Sequence, residues 1–244
     1  MRENYTLTRL YLDAALSEGI VIDLAQFQAH YLGTVLRKAE GDSLRVFNGQ
    51  DGEWRAGITA ISKRKAKITL GEQLRAPVLC PDITLCFAPV RKHRTTFITE
   101  KATELGVAAL QPVITARTQF PKLNLDKIRA QVIEAAEQTE RLDIPRVEAP
   151  LKLAQMIEGW DSARPLIYAD EAGDAPPAQE ALKAMSASAA ILIGHEGGFT
   201  PAEREMLLAQ SFVTPVSLGP RILRADTAAL SLLTLWQAQC GDWC

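Results

Sequence analysis

From residue 83 onward, apolar strand-like segments alternate with helical patterns, and this alternation constrains the fold more than any other feature of the chain. The strand-like segments read ITLCFAPV, ALQPVIT, PLIYAD, AAILIG and VTPVSLG. Strands that are apolar on both faces and separated by helices are typical of a mostly parallel sheet with helices on both sides. Ligands of such sheets bind beyond the carboxyl ends of the strands, so we expect a site at that edge.

The first 75 residues have a different pattern. Short segments such as RLYL, DSLRVFNG, EWRAGITAIS and KAKITLGEQL alternate apolar with polar residues between glycines, which predicts a small β-barrel or sandwich. One helical pattern interrupts them within residues 23–42. The segment RAPVLCPD has two prolines and no periodicity. We therefore predict a strand-rich domain over 1–74, a linker over 75–82 and an α/β domain over 83–244.

Composition narrows the function classes. The 244 residues are 47% hydrophobic and carry a net charge of −2, so we expect a globular core and no indiscriminate nucleic-acid binding. The charged N-terminal segment does not resemble a secretory signal, and no apolar run is long enough for a membrane helix, which predicts a cytoplasmic protein. The four cysteines form no CxxC pair, so neither a zinc site nor a disulfide framework is expected.

The segment IGHEGGFTPAE carries a helix start after a strand. Thr200 is a candidate N-cap, Pro201 suits the first helical position, and Glu203 completes a capping box. The glycines before it let the backbone pass close to a bound molecule, although a sharp turn alone would also require them. His195 beside Glu196 could ligate a metal, but the HExxH pattern is incomplete and we expect no metal. The chain contains neither GxxxxGK[ST] nor GxGxxG, which disfavours nucleoside triphosphates and dinucleotides.

The segment SLGPRILRADTAAL ends another strand and precedes an apolar helix. Asp226 or Thr227 can cap that helix, which would explain both residues structurally. Helix capping does not explain why two arginines, Arg221 and Arg224, lie at the edge of the sheet. They can neutralise a phosphate or stabilise an anion that develops on a substrate.

Together, these two segments resemble the IGPEGGF…E and LGxRILRxETA signatures of the ribosomal small-subunit RNA uridine-N3 methyltransferases, the RsmE family of the SPOUT (α/β trefoil-knot) class. EKATELG, EQTERLDIPRV and HYLGTVLRKAEGDSLRVFNGQDGEW are similar to further segments of that family, so the resemblance spans nearly the whole chain. In this chain His195 replaces the usual proline and Asp226 the usual glutamate. The resemblance implies a PUA-like β-barrel followed by a SPOUT α/β-knot domain.

The resemblance also implies that S-adenosyl-L-methionine is the cofactor and that the knot loops hold it. Backbone groups of glycine turns suit its adenine and ribose, and apolar side chains can enclose the adenine ring. The cofactor-binding residues implied in this way are Ala169, Gly194, Glu196, Gly197, Gly198, Leu218, Gly219, Ile222, Leu223 and Ala228.

Methylation of uracil N3 requires the N3 proton to leave and the resulting anion to be stabilised. We expect Arg224, with Arg221 as second choice, to stabilise that anion. Asp226 is the first candidate for proton acceptor or for orienting Arg224, and His195 is the second because it titrates near neutral pH. Capping by Asp226 remains an equal explanation.

The implied partners are 16S ribosomal RNA, within an assembled or nearly assembled small subunit, and a second copy of the chain in a homodimer. The apolar C-terminal helix fits a dimer because it exposes more apolar surface than one face needs. The run SKRKAK fits either a solvated edge strand or an RNA-facing patch. Residues expected to contact RNA are Arg9, Arg37, Lys63, Arg64, Lys65, Arg91, Lys92, Gln138 and Arg141, of which Gln138 and Arg141 are expected on one helical face.

Three other functions remain open on the sequence alone. A binding-only ribosome-assembly factor would explain the barrel and the basic patches without a methyl donor. A SPOUT methyltransferase acting on another RNA position would share the same motifs. A hydrolase using His195 and Glu196 is the most distant alternative, because no GxSxG accompanies them.

Overall fold

The computed structural model describes residues 4, 6–172, 174–185 and 188–243, and it divides into two compact units. The first unit comprises Met1–Leu79 and Ala136–Ile144, and the second comprises Cys80–Ala135 and Pro145–Cys244. The boundaries expected from the sequence place 136–144 in the second domain instead. The first unit therefore takes a segment that the sequence pattern does not assign to it.

The first unit is built on a five-stranded sheet with the order β1-β3-β4-β5-β2, as the strand-rich pattern predicts. Its strands are β1 (Arg9–Tyr11), β2 (Val21–Asp23), β3 (Ser43–Phe47), β4 (Glu53–Ile61) and β5 (Ala66–Arg75). β1 pairs with β3 in parallel, and the other pairs are antiparallel. Helix α1 (Gln26–His30) continues into a π-helical turn (Tyr31–Val35), so the helical part is shorter than the pattern over 23–42 predicts.

A buried ion-pair network lies in the first unit. The Arg9 Nε atom is 2.7 Å from Glu53, and the Arg75 Nε atom is 2.8 Å from the same carboxylate. Arg45 pairs with Glu140 at 2.7 Å. Because Arg9 is only 5% exposed and its guanidinium is committed to this network, the prediction that Arg9 contacts RNA is wrong.

Hydrogen bonds from Arg9 also explain why Ala136–Ile144 belongs to the first unit. Its Nη1 atom donates to the carbonyl of Ala136 at 2.8 Å and its Nη2 atom to the carbonyl of Arg141 at 2.8 Å. Glu140 has a left-handed φ of +64°. The helix therefore ends at Gln138, and the expectation that Gln138 and Arg141 share a helical face is wrong.

The second unit contains a parallel sheet of seven strands, which confirms the predicted α/β class. Its path is β12-β10-β11-β6-β7-β8, and β9 pairs with β7. The strands are β6 (Ile83–Phe87), β7 (Ala109–Ile114), β8 (Arg146–Val147), β9 (Leu151–Lys152), β10 (Leu166–Ala169), β11 (Ala189–Ile193) and β12 (Val213–Val216). The short strands β8 and β9 have no counterpart in the sequence-based prediction.

Helices cover both faces of this sheet. They are α2 (Lys92–Glu104), α3 (Leu125–Gln138), α4 (Leu153–Glu158), α5 (Ala178–Ala181), α6 (Pro201–Leu208) and α7 (Ala225–Cys240). Alternate residues of β11 belong to two different apolar clusters, Ile191 to one and Leu192 to the other, as expected for a strand buried on both faces. Helix α7 contributes Leu232, Leu233 and Trp236 to the larger cluster.

The start of α6 follows the prediction. Thr200 is the N-cap, its hydroxyl accepts from the Glu203 backbone N–H at 3.2 Å, and Pro201 is the first helical residue. Glu203 is buried, and its carboxylate accepts from the backbone N–H of Thr200 at 2.8 Å and of Ala116 at 2.7 Å. The capping box therefore fixes both the helix start and the loop that follows β7.

Candidate functional site

A cavity of about 300 Å³ lies beyond the carboxyl ends of β10, β11 and β12, at the sheet edge that the strand pattern predicts. We call it the sheet-edge cavity. Its volume lies at the lower end of the range for small-molecule sites, about 300–1,000 Å³. Its walls are the three segments that follow these strands. The lining residues are 169–172, 193–195, 198, 199, 216–223, 225 and 228.

Eight of the ten residues expected to hold the cofactor line the sheet-edge cavity. They are Ala169, Gly194, Gly198, Leu218, Gly219, Ile222, Leu223 and Ala228. Glu196 and Gly197 are not among the lining residues. The structure thus brings the two glycine-bearing loops together, and the roles of these residues remain a prediction.

Gly198 has a conformation that a larger residue would resist. Its φ is +65°, and a β-carbon built on it would collide with the carboxylate of Glu171. Left-handed backbone of this kind favours glycine because other residues have a β-carbon that clashes with the backbone. The glycine therefore lets the 195–198 loop close over the segment that follows β10.

The 195–198 loop is held by its own hydrogen bonds and by Arg117. His195 is buried, and its Nδ1 atom accepts from the Gly197 backbone N–H at 3.3 Å. The Gly198 N–H donates to the His195 carbonyl at 2.7 Å. The Arg117 guanidinium donates to the carbonyl of Gly197. Gly197 therefore supports the loop from outside the sheet-edge cavity.

A second depression, of about 430 Å³, adjoins the sheet-edge cavity through shared residues Ile222 and Leu223. We call it the arginine groove. It is lined by Arg91, His93, Arg94, Glu196, Ile222, Leu223 and Arg224. Three arginines against one glutamate make it a basic surface beside the sheet-edge cavity.

The four residues expected to act in catalysis do not converge on one point. His195 and Arg221 line the sheet-edge cavity, and Arg224 lines the arginine groove. Asp226 lines neither. Its Oδ1 atom accepts from the Thr227 backbone N–H at 2.9 Å, and its Oδ2 atom is 3.7 Å from Arg94.

The start of α7 differs from the prediction. The N-cap position is Arg224, and its side chain makes no capping hydrogen bond. Asp226 is inside the first turn of the helix, where its negative charge interacts favourably with the positive end of the helix dipole. The partner of Asp226 is Arg94 from α2, so its expected pairing with Arg224 is not what the structure shows. Arg94 also contacts Glu196 at 2.8 Å.

Asp170 brings a buried carboxylate to the sheet-edge cavity. It is 5% exposed, and Arg204 contacts it at 2.7 Å while the Tyr168 hydroxyl donates at 3.2 Å. Burial raises the pKa of Asp170, but hydrogen bonds from Arg204 and the Ala172 backbone outweigh it and hold that pKa below its usual value. Asp170 is therefore ionised and paired.

The other residues expected to contact RNA are mostly at the surface. Those with exposed side chains are Arg37, Lys63, Arg64, Lys65, Arg91, Lys92 and Gln138. Residues 62–65 of the run SKRKAK form the turn between β4 and β5, with the Ser62 hydroxyl donating to the Lys65 carbonyl at 3.1 Å. Ala66 and Lys67 begin β5, which lies between β4 and β2 and is not an edge strand. Arg141 has a 6% exposed side chain that pairs with Asp143 at 2.9 Å, so its guanidinium does not face solvent.

Several residues that line the sheet-edge cavity or the arginine groove are not among the site residues predicted from the sequence. Asp170 and Glu171 come directly after an apolar strand, and acidic residues at that position were a usable signal. His93 and Arg94 directly follow Arg91 and Lys92, which are predicted from the sequence to contact RNA, so the same cluster of basic residues indicated them. Phe199 is the last residue of the matched IGHEGGF segment, but its packing edge-on against Tyr168 at 5.2 Å depends on tertiary structure and has no signal in the sequence.

Within the part of the chain that the structure describes, no group of three or more His, Cys, Asp or Glu residues is arranged to hold a metal ion. None of the helices described is both long enough and apolar enough to cross a membrane.

Comparison with known proteins matches both units. A family profile for an RNA methyltransferase domain matches residues 78–237, and one for an RNA methyltransferase PUA domain matches residues 28–71. The ribosomal RNA small subunit methyltransferase E of Rickettsia conorii is 35% identical over 92% of this chain and 93% of its own length. The Synechocystis protein of the same name is 37% identical over 85% of this chain and 69% of its own length.

Two solved structures are similar over almost the whole chain. The ribosomal RNA small subunit methyltransferase E of Neisseria gonorrhoeae, bound to S-adenosyl methionine, has a TM-score of 0.85 and 28% identity. It covers 98% of this chain and 100% of its own. A Legionella pneumophila protein in complex with SAM has a TM-score of 0.88 and 30% identity, covering 97% of this chain and 99% of its own.

The parallel sheet, the cavity at its carboxyl edge and these matches define a SPOUT α/β-knot RNA methyltransferase fold preceded by a PUA-like domain. Threading of the chain through a knot is a property of that class, which simple strand and helix patterns do not reveal. The chain belongs to the ribosomal RNA small subunit methyltransferase E family, as its motifs predict.

Proposed function

We propose that the protein transfers the methyl group of S-adenosylmethionine to N3 of a uridine in 16S ribosomal RNA of the small subunit. The observation that carries the proposal is the sheet-edge cavity, whose walls are the two family motifs and the end of β10. The Neisseria relative, 28% identical over 98% of this chain, is bound to the same cofactor. The curated relatives are named for small-subunit ribosomal RNA methylation.

The residues of the sheet-edge cavity fit this cofactor. Apolar side chains such as Leu218 and Leu223 suit an adenine ring, and backbone groups at Gly194 and Gly219 suit polar edges of the nucleoside. S-adenosylmethionine supplies a methyl group on a sulfonium, so that an N–C bond forms on the uracil as the C–S bond breaks.

The arginine groove is the proposed position of the acceptor base. Loss of the N3 proton leaves negative charge on the uracil carbonyl oxygens, and the Arg224 guanidinium stabilises it at the rim of the sheet-edge cavity. Arg221 is the second donor, from inside that cavity. A uridine must leave its stack to reach this position, as for other base-modifying enzymes.

The contacts of His195 and Asp226 argue against either residue as the acceptor of the N3 proton. Because Nδ1 of His195 accepts a backbone hydrogen bond, Nε2 is the ring nitrogen left to donate to a ligand. Asp226 holds Arg94 rather than the acceptor proton. The N3 proton therefore passes to water, and Arg224 and Arg221 stabilise the negative charge that its departure leaves on the uracil carbonyl oxygens.

A homodimer and a cytoplasmic location also belong to the proposal. The support for the dimer is family likeness. Helix α7 exposes less apolar surface than its sequence predicts, because Leu230 and Leu235 are partly buried. The exposed cations Arg37, Lys63, Arg64 and Lys65 are proposed to contact RNA phosphates, as are Arg91 and Lys92 at the start of α2.

The proposal is tested with methyl-labelled S-adenosylmethionine and small subunits lacking the modification. Digested RNA is analysed by chromatography and mass spectrometry for N3-methyluridine. We expect Arg224→Ala to lower the rate about a hundredfold or more while S-adenosylmethionine binding, measured by calorimetry, is retained.

Arg129→Ala is the matched control, because Arg129 is an exposed arginine of the same unit that lines neither depression. It should methylate at the wild-type rate. Label in a ribose or another base atom would reassign the acceptor. Failure of the wild-type protein to bind S-adenosylmethionine would instead favour a binding-only assembly factor.

A further inference from the structure

Glu171 stands out among the charged residues of the sheet-edge cavity. It is the second residue after β10, it lines the cavity, and it is exposed. Its carboxylate occupies the space that a β-carbon at Gly198 would need. The absence of a side chain at Gly198 therefore lets this carboxylate lie between the end of β10 and the 195–198 loop.

The two acidic residues of the cavity differ in their partners. Asp170 is paired with Arg204 at 2.7 Å and accepts further hydrogen bonds from Tyr168 and Ala172. Glu171 has no ion-pair or side-chain hydrogen-bond partner in the part of the chain that the structure describes. The charge of Asp170 is thus compensated by protein, whereas that of Glu171 is available to a ligand.

We propose that Glu171 is a specificity-determining residue that supplies the counter-charge for the cationic methionine end of the methyl donor. This inference rests on the proposed function. S-adenosylmethionine carries a sulfonium, an ammonium and a carboxylate, S-adenosylhomocysteine keeps the ammonium and the carboxylate, and methylthioadenosine has none of the three. The sulfonium therefore gives the donor its net positive charge. A carboxylate near the methionine end favours the donor over the spent product, which assists product release after each transfer.

The effect is modest because Glu171 is open to water on one side. Ion pairs with partly exposed partners are screened by solvent and salt, so the expected contribution corresponds to a severalfold change in affinity. Its signature is dependence on the charge of the ligand rather than on its size. That signature separates a charge contact from a packing contact.

The test uses isothermal calorimetry of the full-length protein with the three ligands named above. The variant is Glu171→Gln, which keeps the shape of the side chain and removes its charge. We expect about threefold to fivefold weaker binding of S-adenosylmethionine and no change for methylthioadenosine. A loss confined to S-adenosylmethionine is the expected result, because only this ligand carries the sulfonium. Equal losses for it and S-adenosylhomocysteine would mean contact with the shared ammonium and would overturn the preference for the donor over the product.

The matched control is Glu205→Gln, the same charge change on the exposed face of α6 outside the sheet-edge cavity. It should leave all three affinities at wild-type values. Equal weakening of all three ligands by Glu171→Gln, or no weakening of any, would overturn the inference while leaving the proposed function intact. Absence of S-adenosylmethionine binding to the wild-type protein would overturn both.

Discussion

At the scale of single residues, Gly198 matters both for the left-handed backbone of its loop and for the shape of the sheet-edge cavity. Replacing it with alanine places a β-carbon on a φ of +65° and displaces the carboxylate of Glu171. We expect Gly198→Ala to lower the free energy of unfolding by about 1–2 kcal/mol. We also expect at least tenfold weaker binding of S-adenosylmethionine, measured by calorimetry, because the cavity wall shifts.

Gly19→Ala is the control for backbone strain alone. Gly19 has a φ of +78° and belongs to the first unit. Among the described residues other than its two chain neighbours, no atom lies within 4 Å of the position that a β-carbon would take there. The variant should lose comparable stability and keep its affinity for S-adenosylmethionine. Wild-type affinity in Gly198→Ala would show that the wall of the sheet-edge cavity does not depend on this glycine.

The residues of the site were predictable to different degrees. Loop glycines such as Gly194 and Gly219 were accessible, since a turn after a strand in a parallel sheet brings them to the carboxyl edge. The orientations of Glu196 and Asp226 were not. Both carboxylates lie near Arg94 of α2. These contacts join segments that are far apart in the chain, so residue spacing in the sequence does not predict them.

At the scale of secondary-structure elements, Glu203 links α6 to the loop after β7. Its carboxylate accepts from Thr200 and from the Ala116 backbone N–H at 2.7 Å, within a buried site. Glu203→Ala removes the carboxylate side of the capping box and leaves the backbone N–H groups of Thr200 and Ala116 without this partner. We expect it to lower the free energy of unfolding by about 1–3 kcal/mol, measured by urea denaturation.

The comparison variant is Glu205→Ala, on the exposed side of the same helix. Its change in unfolding free energy should stay within about 0.5 kcal/mol. Equal losses in the two variants would contradict a special role of the capping box, because alanine has the higher helix propensity and neither loss could come from propensity.

Element ends were predictable where local sequence fixes them. Thr200, Pro201 and Glu203 specify the start of α6 without help from elsewhere. The end of α3 was not predictable. Its terminal carbonyls are satisfied by the side chain of Arg9, which is distant in sequence, so no capping glycine is needed.

At the scale of the whole molecule, the ion-pair network of the first unit makes stability depend on pH. Burial raises the pKa of Glu53, but hydrogen bonds from Arg75 and Arg9 outweigh it and hold that pKa below the usual 4.5. A lowered pKa in the folded state means that the stabilisation is complete above about pH 4.5. It is lost as pH falls through the folded-state value.

Glu53→Gln should therefore lower the free energy of unfolding of the first unit by about 3–5 kcal/mol at neutral pH, because buried arginines lose their counter-charge. The difference from wild type should shrink as pH is lowered from about 7 to about 3. Urea denaturation across this range measures it. Glu72→Gln, at an exposed pair with Arg55, should change stability by less than about 1 kcal/mol, and a pH-independent loss in Glu53→Gln would contradict the account.

The overall architecture was largely predictable, because strand and helix patterns distinguish a strand-rich first unit from a parallel α/β second unit. Assignment of 136–144 to the first unit was not, since it depends on Arg9 and on Phe47 packing with Leu142. The knot was not predictable from periodicity either, because it concerns the path of the chain rather than the pattern of any element.

The most direct measurement is a crystal structure of the protein with S-adenosylmethionine. We expect the cofactor to bind in the sheet-edge cavity, between the 194–198 and 218–223 loops, with its methyl group directed toward the arginine groove. Electron density for the cofactor at any other site, with this cavity filled by protein side chains, would contradict this expectation.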